Sequence, residues 1–387
     1  MKNRTIFLSI VAAMGVISST LCAPALPFIA ERFTADISSI QFAISLFLVG
    51  NACGQLLAGP LSDKVGQKSV LLGGLWLYLL ASCGCALSWN MGSLITARFM
   101  QGMGSAMGPV LTRAIAASSF NVDRSAQVQS YGALSVGVAS ILAILSSGQL
   151  TLFSWRGNFW LAASLGALLL IWATSALKNF SGIKAGHLSI KQWMLHILGV
   201  LRNPIFLGST LCHAMTYGLM YGYIALFPFI LKELFQETSP MQVAIYSAYM
   251  IAFYMLGAFV AARCVLRFQP YRLIICGVLL QCIAGCVLVF SIPLFLFLSA
   301  LFVFNFSIGI ILPMTSATAL APFAGKGVGF ASSTLGLSYR FLGSFLSVCI
   351  CQLPLASFRN MGIAIIALSS VSLCMFLWLT PKRSLSI

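Results

Sequence analysis

The sequence predicts an all-α membrane protein, with twelve transmembrane helices in two six-helix halves. Three observations predict it. Across 387 residues, 60% are hydrophobic and 7% charged, and the mean hydropathy is +0.99, which leaves too little polar surface to clothe a water-soluble globule. About twelve apolar runs approach the roughly 20 residues that a helix needs to cross a hydrocarbon core ~30 Å thick. The 6 carboxylates, Glu31, Asp36, Asp63, Asp123, Glu233 and Glu237, all fall between those runs. Helices satisfy each backbone amide within their own segment, and the roughly ten-residue alternation of an outer-membrane barrel is absent.

The first span covers about residues 6–30. Met1-Lys2-Asn3-Arg4 ahead of an apolar stretch also fits a signal peptide. However, the apolar character runs past a typical h-region to Ala30, and Ser19, Thr20 and Leu21 before Cys22 do not form a lipoprotein cleavage box. The segment is therefore expected to remain as a helix. Spans at about 38–61, 69–87, 93–117, 127–150 and 158–177 complete the first half. The longest polar interruption follows, with Lys184, His187, Lys191, His196 and Arg202. Its stretch Ser189–Leu201 sets Ile190, Trp193, Met194, Ile197, Leu198 and Leu201 at helical spacing, as in a short helix lying on the membrane surface. The second half holds spans at about 204–231, 241–265, 272–291, 294–318, 329–354 and 361–379. The expected division is a first half at 1–177, a cytoplasmic connector at 178–203 and a second half at 204–387.

The net charge of +16 does not mark a nucleic-acid surface, because the 22 basic residues are scattered singly through short loops. They set topology instead. With both termini in the cytoplasm, about 15 of the Lys and Arg residues fall on the cytoplasmic face, which the positive-inside rule favours. The opposite face keeps Arg32, Arg156, Lys232 and Arg359, and Arg98, Arg113 and Arg340 sit inside apolar runs. The 12 cysteines lie mostly within spans and read as small, soft packing residues. No C-x-x-C pair with partnering histidines suggests a metal site. No G-x-x-x-x-G-K-S/T loop suggests a nucleotide site. No cofactor is therefore expected.

Several motifs carry chemistry. After the second span comes Gly59-Pro60-Leu61-Ser62-Asp63-Lys64-Val65-Gly66-Gln67-Lys68. Gly59 and Gly66 would permit a tight turn, and Asp63 could pair with a neighbouring base or accept from a helix N-terminus. The bland alternative is a short charged turn that only satisfies the positive-inside rule. The fourth span carries Arg98-Phe99-Met100-Gln101-Gly102-Met103-Gly104, and an unpaired intramembrane arginine costs at least ~2.5–3.5 kcal/mol, so it must face partners, water or substrate. Pro24-Ala25-Leu26-Pro27 in the first span, Ser154-Trp155-Arg156 before the sixth and Gly329-Phe330-Ala331-Ser332-Ser333-Thr334-Leu335-Gly336 in the eleventh complete the set.

The first of these is similar to the G-x-L-x-D-R-x-G-R-K loop of major facilitator transporters, and the second to their R-x-x-Q-G motif. Two parallel six-span halves are also their layout. The last three stretches resemble the bicyclomycin-resistance group of drug:proton antiporters. The resemblance implies pseudo-symmetric halves, a solute path between them near the midplane, and alternating access. It implies a gating latch at Gly59, Asp63, Lys64, Gly66 and Lys68. Three departures stand out. The antiporter group's acidic residue ahead of P-A-L-P is here Thr20, its Arg-Asp pair in the fourth span is Arg113-Ala114, and the proline-bearing motif of its fifth span is reduced to Gly132 and Gly137.

Antiport needs a group that binds proton or substrate in turn. The candidates are His213 in the seventh span and Glu31 at the outer end of the first. A lone intramembrane His is more often a hydrogen-bonded packing residue. An interior with cations and no acid repels cationic solutes and attracts carboxylates or phosphates. Against this, Arg113 could snorkel to the interface and Arg98 could brace loops. Substrate-binding candidates are Thr20, Arg98, Arg113, His213, Tyr217, Tyr221, Asn305 and Arg340, with Tyr223 nearby on a helix loosened by Gly218 and Gly222.

The expected function is secondary transport of a small organic solute, a drug-like compound or metabolite, neutral or anionic rather than cationic, across the cell inner membrane. The expected direction is efflux, by a monomer with protons as the candidate coupling ion and no nucleic-acid partner. The alternative is an anionic metabolite such as a polycarboxylate or a carboxylate siderophore. An enzyme is not expected, since the spans offer one His and no acid. A transporter-like sensor would need a soluble signalling segment, for which the tails before Thr5 and after Leu379 are too short.

Overall fold

The computed structural model describes residues 2–119, 122–177, 197–236, 239–265, 267–290, 293–323, 328–351 and 358–380. For some of these, Asp63 and Arg113 among them, only the backbone is described. Besides a helical stretch at 197–201, thirteen α-helices and no strand occur among the described residues. They are α1 Lys2–Thr20, α2 Leu26–Phe33, α3 Ile37–Val65, α4 Gln67–Ala86, α5 Met91–Ser119, α6 Val122–Phe153 and α7 Arg156–Ala176. The rest are α8 Pro204–Phe235, α9 Pro240–Cys264, α10 Pro270–Leu288, α11 Leu294–Leu320, α12 Val328–Cys351 and α13 Phe358–Leu379. With α1 and α2 counted as one broken span, they follow the expected twelve within a few residues. Among the described residues, 10 spans are long and apolar enough to cross a membrane. The helices α5 and α12 have 29 and 24 residues, enough to span. They are more polar, and they carry Arg98, Arg113 and Arg340.

Polarity is inverted relative to a soluble bundle. Trp76, Leu80, Leu168, Ile171, Phe295 and Trp378 are exposed, while Arg98, Gln101, Gln41, Asn51 and Gln281 are buried. Lipid explains both, since apolar side chains lose nothing by facing acyl chains whereas polar groups must find partners inside.

The first span is not the continuous helix expected for 6–30. It breaks after Thr20, passes through a 3-10 turn at Ala23–Ala25 and resumes at Leu26. Pro24 and Pro27 lack the amides that would bond to the carbonyls of Thr20 and Ala23, so the α-helical ladder cannot run through them. The expected loop at Gly59–Lys68 is also corrected. The helix α3 continues through Val65, because nothing between Leu61 and Val65 breaks it, and Gly59 lies inside that helix. The turn is a single residue, Gly66, at φ +94°, a conformation that a Cβ would strain. Of the surface helix expected at Ser189–Leu201, residues 197–201 are helical and the remainder lies outside the described residues.

Caps fix other starts. Asp36 accepts from the Ser39 amide at the start of α3. Asn203 Oδ1 accepts from the amides of Ile205 (3.0 Å) and Phe206 (3.1 Å) at the start of α8, with Pro204 in the first turn where its missing amide costs nothing.

The chain divides into two compact units, Met1–Ile190 with Ser239–Ile245, and Lys191–Thr238 with Tyr246–Ile387. In the first, α5 packs on α3, α4 and α1, α4 packs on α7, and α1 packs on α6. In the second, α8 packs on α11, α12 and α13, and α10 packs on α11 and α13. One helix contact recurs in both. A Cβ on Gly50 would lie 2.1 Å from the Phe99 carbonyl oxygen, and one on Gly102 would lie 2.0 Å from that of Phe47. In the second unit, Gly257 meets the Phe306 carbonyl oxygen and Gly309 that of Tyr254, each at 2.1 Å. A single shift along the sequence superposes these four positions on the first four. Helix backbones touch at both crossings, where only glycine fits. The same shift carries Arg98 onto Asn305, so the equivalent position is cationic in one half and neutral in the other.

Candidate functional site

In the first unit the polar interior is organised around Arg98, which is 1% exposed. Its Nη1 donates to Gln101 Oε1 (2.7 Å), one helical turn on, and to the Ser18 carbonyl (3.3 Å). The glutamine is held in turn, because its Nε2 donates to Ser82 Oγ (2.8 Å) and Ser82 donates to the Tyr78 carbonyl (2.7 Å). The R-x-x-Q spacing thus places cation and carbonyl oxygen on one face of α5, and α4 sets which end of the amide faces the arginine. Ser18 uses its proton on the Met14 carbonyl (2.9 Å), so Tyr78 donates its own to Ser18 Oγ (2.5 Å). The guanidinium carbon lies 4.2 Å from the centre of the Phe47 ring and 5.9 Å from that of Phe159. Five helices, α1, α3, α4, α5 and α7, therefore converge on one charge. Arg98 is enclosed among helices, so the bland alternative of loop bracing does not describe its surroundings, and a solute would reach this substrate-binding candidate only if those helices part.

Thr20 ends α1 with its hydroxyl turned onto the carbonyls of Val16 and Ile17. It is half-buried, and its proton is committed to its own helix. Glu31 and Asp36 are exposed, so neither carboxylate enters the interior. Hydrogen bonds from Ser38 and Ser39 hold the Asp36 carboxyl below the usual carboxylate range. In the expected latch, Lys64 is exposed and Lys68 half-buried on either side of Gly66, while the side chains of Asp63 and Arg113 lie outside the described residues.

The second unit gathers four of the expected site residues. His213, Tyr217 and Tyr221 project from α8 within one face of about two turns, and Arg340 from α12 joins them. The His213 ring lies 4.2 Å from Tyr339, Tyr217 lies 4.9 Å from Tyr339 and 4.7 Å from Tyr221, and the Arg340 guanidinium stands 5.0 Å from the Tyr339 ring centre. Arg340 is half-buried, with Tyr217 and Tyr221 within its electrostatic range. His213 Nδ1 is 2.9 Å from Thr315 Oγ1 and 3.4 Å from Ser316 Oγ. Both hydroxyls donate to carbonyls of α11, Thr315 to Ile311 and Ser316 to Leu312. With the hydroxyl protons so used, the ring nitrogen is assigned as the donor, which leaves Nε2 as an acceptor. Cation, imidazole and phenols together make a surface suited to a carboxylate, phosphate or polarised carbonyl with an aromatic or aliphatic body.

Asn305 does not join this group. Its Nδ2 donates to the Leu301 carbonyl (2.9 Å), and its neighbour is Tyr223, which bonds to Met250 Sδ. The sequence reading missed Tyr339, Thr315, Ser316, Tyr78 and Ser82. Tyr339 adjoins Arg340 in the chain, a signal that could have been used. The others carry no local signal, since their partners lie tens of residues away on other helices.

Comparison with known proteins agrees with this architecture. A model of the Major Facilitator Superfamily matches residues 8–348. The uncharacterized MFS-type transporter YdgK of Bacillus subtilis is 28% identical over 348 residues, 88% of this chain and 86% of that protein. The multidrug resistance protein MdtL of Escherichia fergusonii is 29% identical over 365 residues, 92% and 90% of the two chains. Among solved structures, a D-xylose-proton symporter superposes with a TM-score of 0.79 at 15% identity, covering 96% of each chain. A bacterial homologue of the human lysosomal transporter Spinster gives 0.76 at 14%, covering 99% of this chain and 97% of that one. A twelve-span helical bundle with a cation buried in its first unit, matched by the family model over most of its length, is a member of the Major Facilitator Superfamily.

Proposed function

We propose that this transporter exports a small organic solute that is neutral or anionic, by alternating access coupled to protons. The observation that carries the charge preference is the cluster of Arg340, His213, Tyr217, Tyr221 and Tyr339. None of the described carboxylate side chains, Glu31, Asp36 and Glu233, is buried. A cationic drug would meet like charge in a low-dielectric interior, which costs several kcal/mol at separations of about 4–6 Å. A carboxylate would gain a charge-assisted pair with Arg340 and donors from the phenols.

Export and membership in the bicyclomycin-resistance group draw support from the P-A-L-P stretch, the Gly329–Gly336 motif and the multidrug-resistance relatives. The even span count and the basic loops favour both termini in the cytoplasm of a cell whose inner membrane holds the protein. We place the halves at 1–177 and 204–387, joined by 178–203; a division into compact units near residue 190 supports that reading, while Ser239–Ile245 groups with the first unit. Proton carriage falls to His213, whose Nε2 keeps its lone pair, in preference to the exposed Glu31. Lys64, Gly66 and Lys68, with Asp63, form the gate at the α3–α4 turn.

Counterflow in proteoliposomes tests the proposal. A preloaded di- or tricarboxylate or a neutral aromatic should drive uptake of its labelled counterpart, and Arg340→Gln should abolish the carboxylate exchange. Robust exchange of a cationic dye with no carboxylate or neutral exchange would overturn it.

A further inference from the structure

We propose that the free edge of Arg98 holds a small inorganic monoanion, of which chloride is the physiological example, inside the first unit. The observation is a pair of orphaned donors. Arg98 Nε and Nη2 have no hydrogen-bond partner, and both are enclosed. All of the hydrogen bonding described for this side chain goes through Nη1. Nε–H and the near N–H of Nη2 point the same way along one edge of the guanidinium, and that edge grips anions with two parallel bonds.

The charge is as unpaired as the donors. Gln101 and the Ser18 carbonyl are neutral, and the Phe47 face supplies only a quadrupole. Among the described residues no buried carboxylate stands in reserve. The thiols of Cys22 and Cys85 lie within electrostatic range of the guanidinium, yet neither reaches hydrogen-bonding distance of its free nitrogens. A water molecule would occupy the donors without neutralising the charge. A buried, unpaired guanidinium is among the costlier groups a membrane interior can hold. An anion accepting from Nε and Nη2 satisfies both nitrogens and the charge. Both nitrogens are shut off from solvent, so the ion proposed is a bare halide and not an organic carboxylate with a body. The site is separate from the Arg340 cluster and does not depend on which solute is carried.

The test uses the purified full-length protein in detergent. Radiolabelled chloride should bind saturably at about one ion per chain, with competition by bromide and none by gluconate at equal ionic strength. Arg98→Gln, which removes both charge and fork, should abolish binding. Arg98→Lys, which keeps the charge and loses the fork, should weaken it at least tenfold, and Arg32→Gln, at an exposed position, should leave it intact. Should the Arg98 variants fail to fold, anomalous scattering from bromide-soaked wild-type crystals reports the same point without substitution, with a peak against Nε and Nη2. Absence of saturable chloride binding by the wild type, undiminished binding in folded Arg98→Gln, or a bromide peak elsewhere alone would overturn the assignment.

Discussion

Replacing Gln101 by Leu removes the shortest hydrogen bond to the buried Arg98 guanidinium, 2.7 Å at Nη1, and leaves that nitrogen with only the Ser18 carbonyl at 3.3 Å. A hydrogen bond to a charged group contributes about 1.5–3 kcal/mol, and a buried side of the ion left unsatisfied adds to the loss. Burial of the leucine in place of the amide returns roughly 1 kcal/mol. Gln101→Leu should therefore destabilise the first unit by about 2 kcal/mol, roughly a 30-fold change in the unfolding equilibrium. The assay is equilibrium unfolding in mixed micelles with increasing SDS, followed by tryptophan fluorescence. A double-mutant cycle supplies the control. In an Arg98→Met background the amide has no cation to serve, and Gln101→Leu should be neutral or stabilising. An equal cost in both backgrounds, or a cost below about 0.5 kcal/mol in the wild type, would refute the view that Gln101 exists to hold the arginine.

Further outcomes follow from local geometry. Gly102→Ala would set a Cβ 2.0 Å from the Phe47 carbonyl oxygen, so α3 and α5 must separate. A loss of about 2–3 kcal/mol is expected in the same unfolding assay. Gly73→Ala, with nothing within 4 Å, should instead stabilise by about 0.5–1 kcal/mol through helix propensity, and equal effects at the two sites would contradict the backbone contact. Asp36 has a folded pKa below the ordinary carboxylate value of about 3.9, so its contribution is complete above that pH and is lost as pH falls through the depressed value. Asp36→Asn keeps an N-cap acceptor but removes the titration, and the acid limb of stability below about pH 4 should flatten; an unchanged limb argues against the Ser38 and Ser39 bonds.

Most of the architecture was legible because a bilayer imposes one period and one length on every spanning element. Twelve apolar runs became helices with ends displaced by a few residues. The failures occurred where backbone chemistry overrides apolarity. Pro24 and Pro27 interrupt a run that hydropathy treats as continuous, while the charged stretch after Gly59 stays helical until Gly66 because charge does not break a helix and a positive φ does. Site residues divided in the same way. Arg98, His213 and Arg340 were visible because a titratable group in an apolar run is conspicuous. What each one touches was not visible, since Ser82, Tyr78, Thr315 and Ser316 look like any other polar residue in a span until helices distant in sequence bring them together. Asn305 was conspicuous as a carboxamide in an apolar run, and the internal repeat shows that it occupies the position equivalent to Arg98. There it caps its own helix carbonyl and does no work for the Arg340 cluster.

The proposed preference for anionic or neutral solutes rests on interior arginines with no buried acid among the described residues. The most direct measurement is binding to the purified protein of one aromatic scaffold made in three charge forms, a carboxylate, its neutral amide and the corresponding ammonium, at fixed ionic strength. Carboxylate and amide should bind at least tenfold more tightly than the ammonium, and Arg340→Gln should erase the carboxylate's advantage over the amide. Tightest binding by the ammonium form, unchanged by Arg340→Gln, would contradict it.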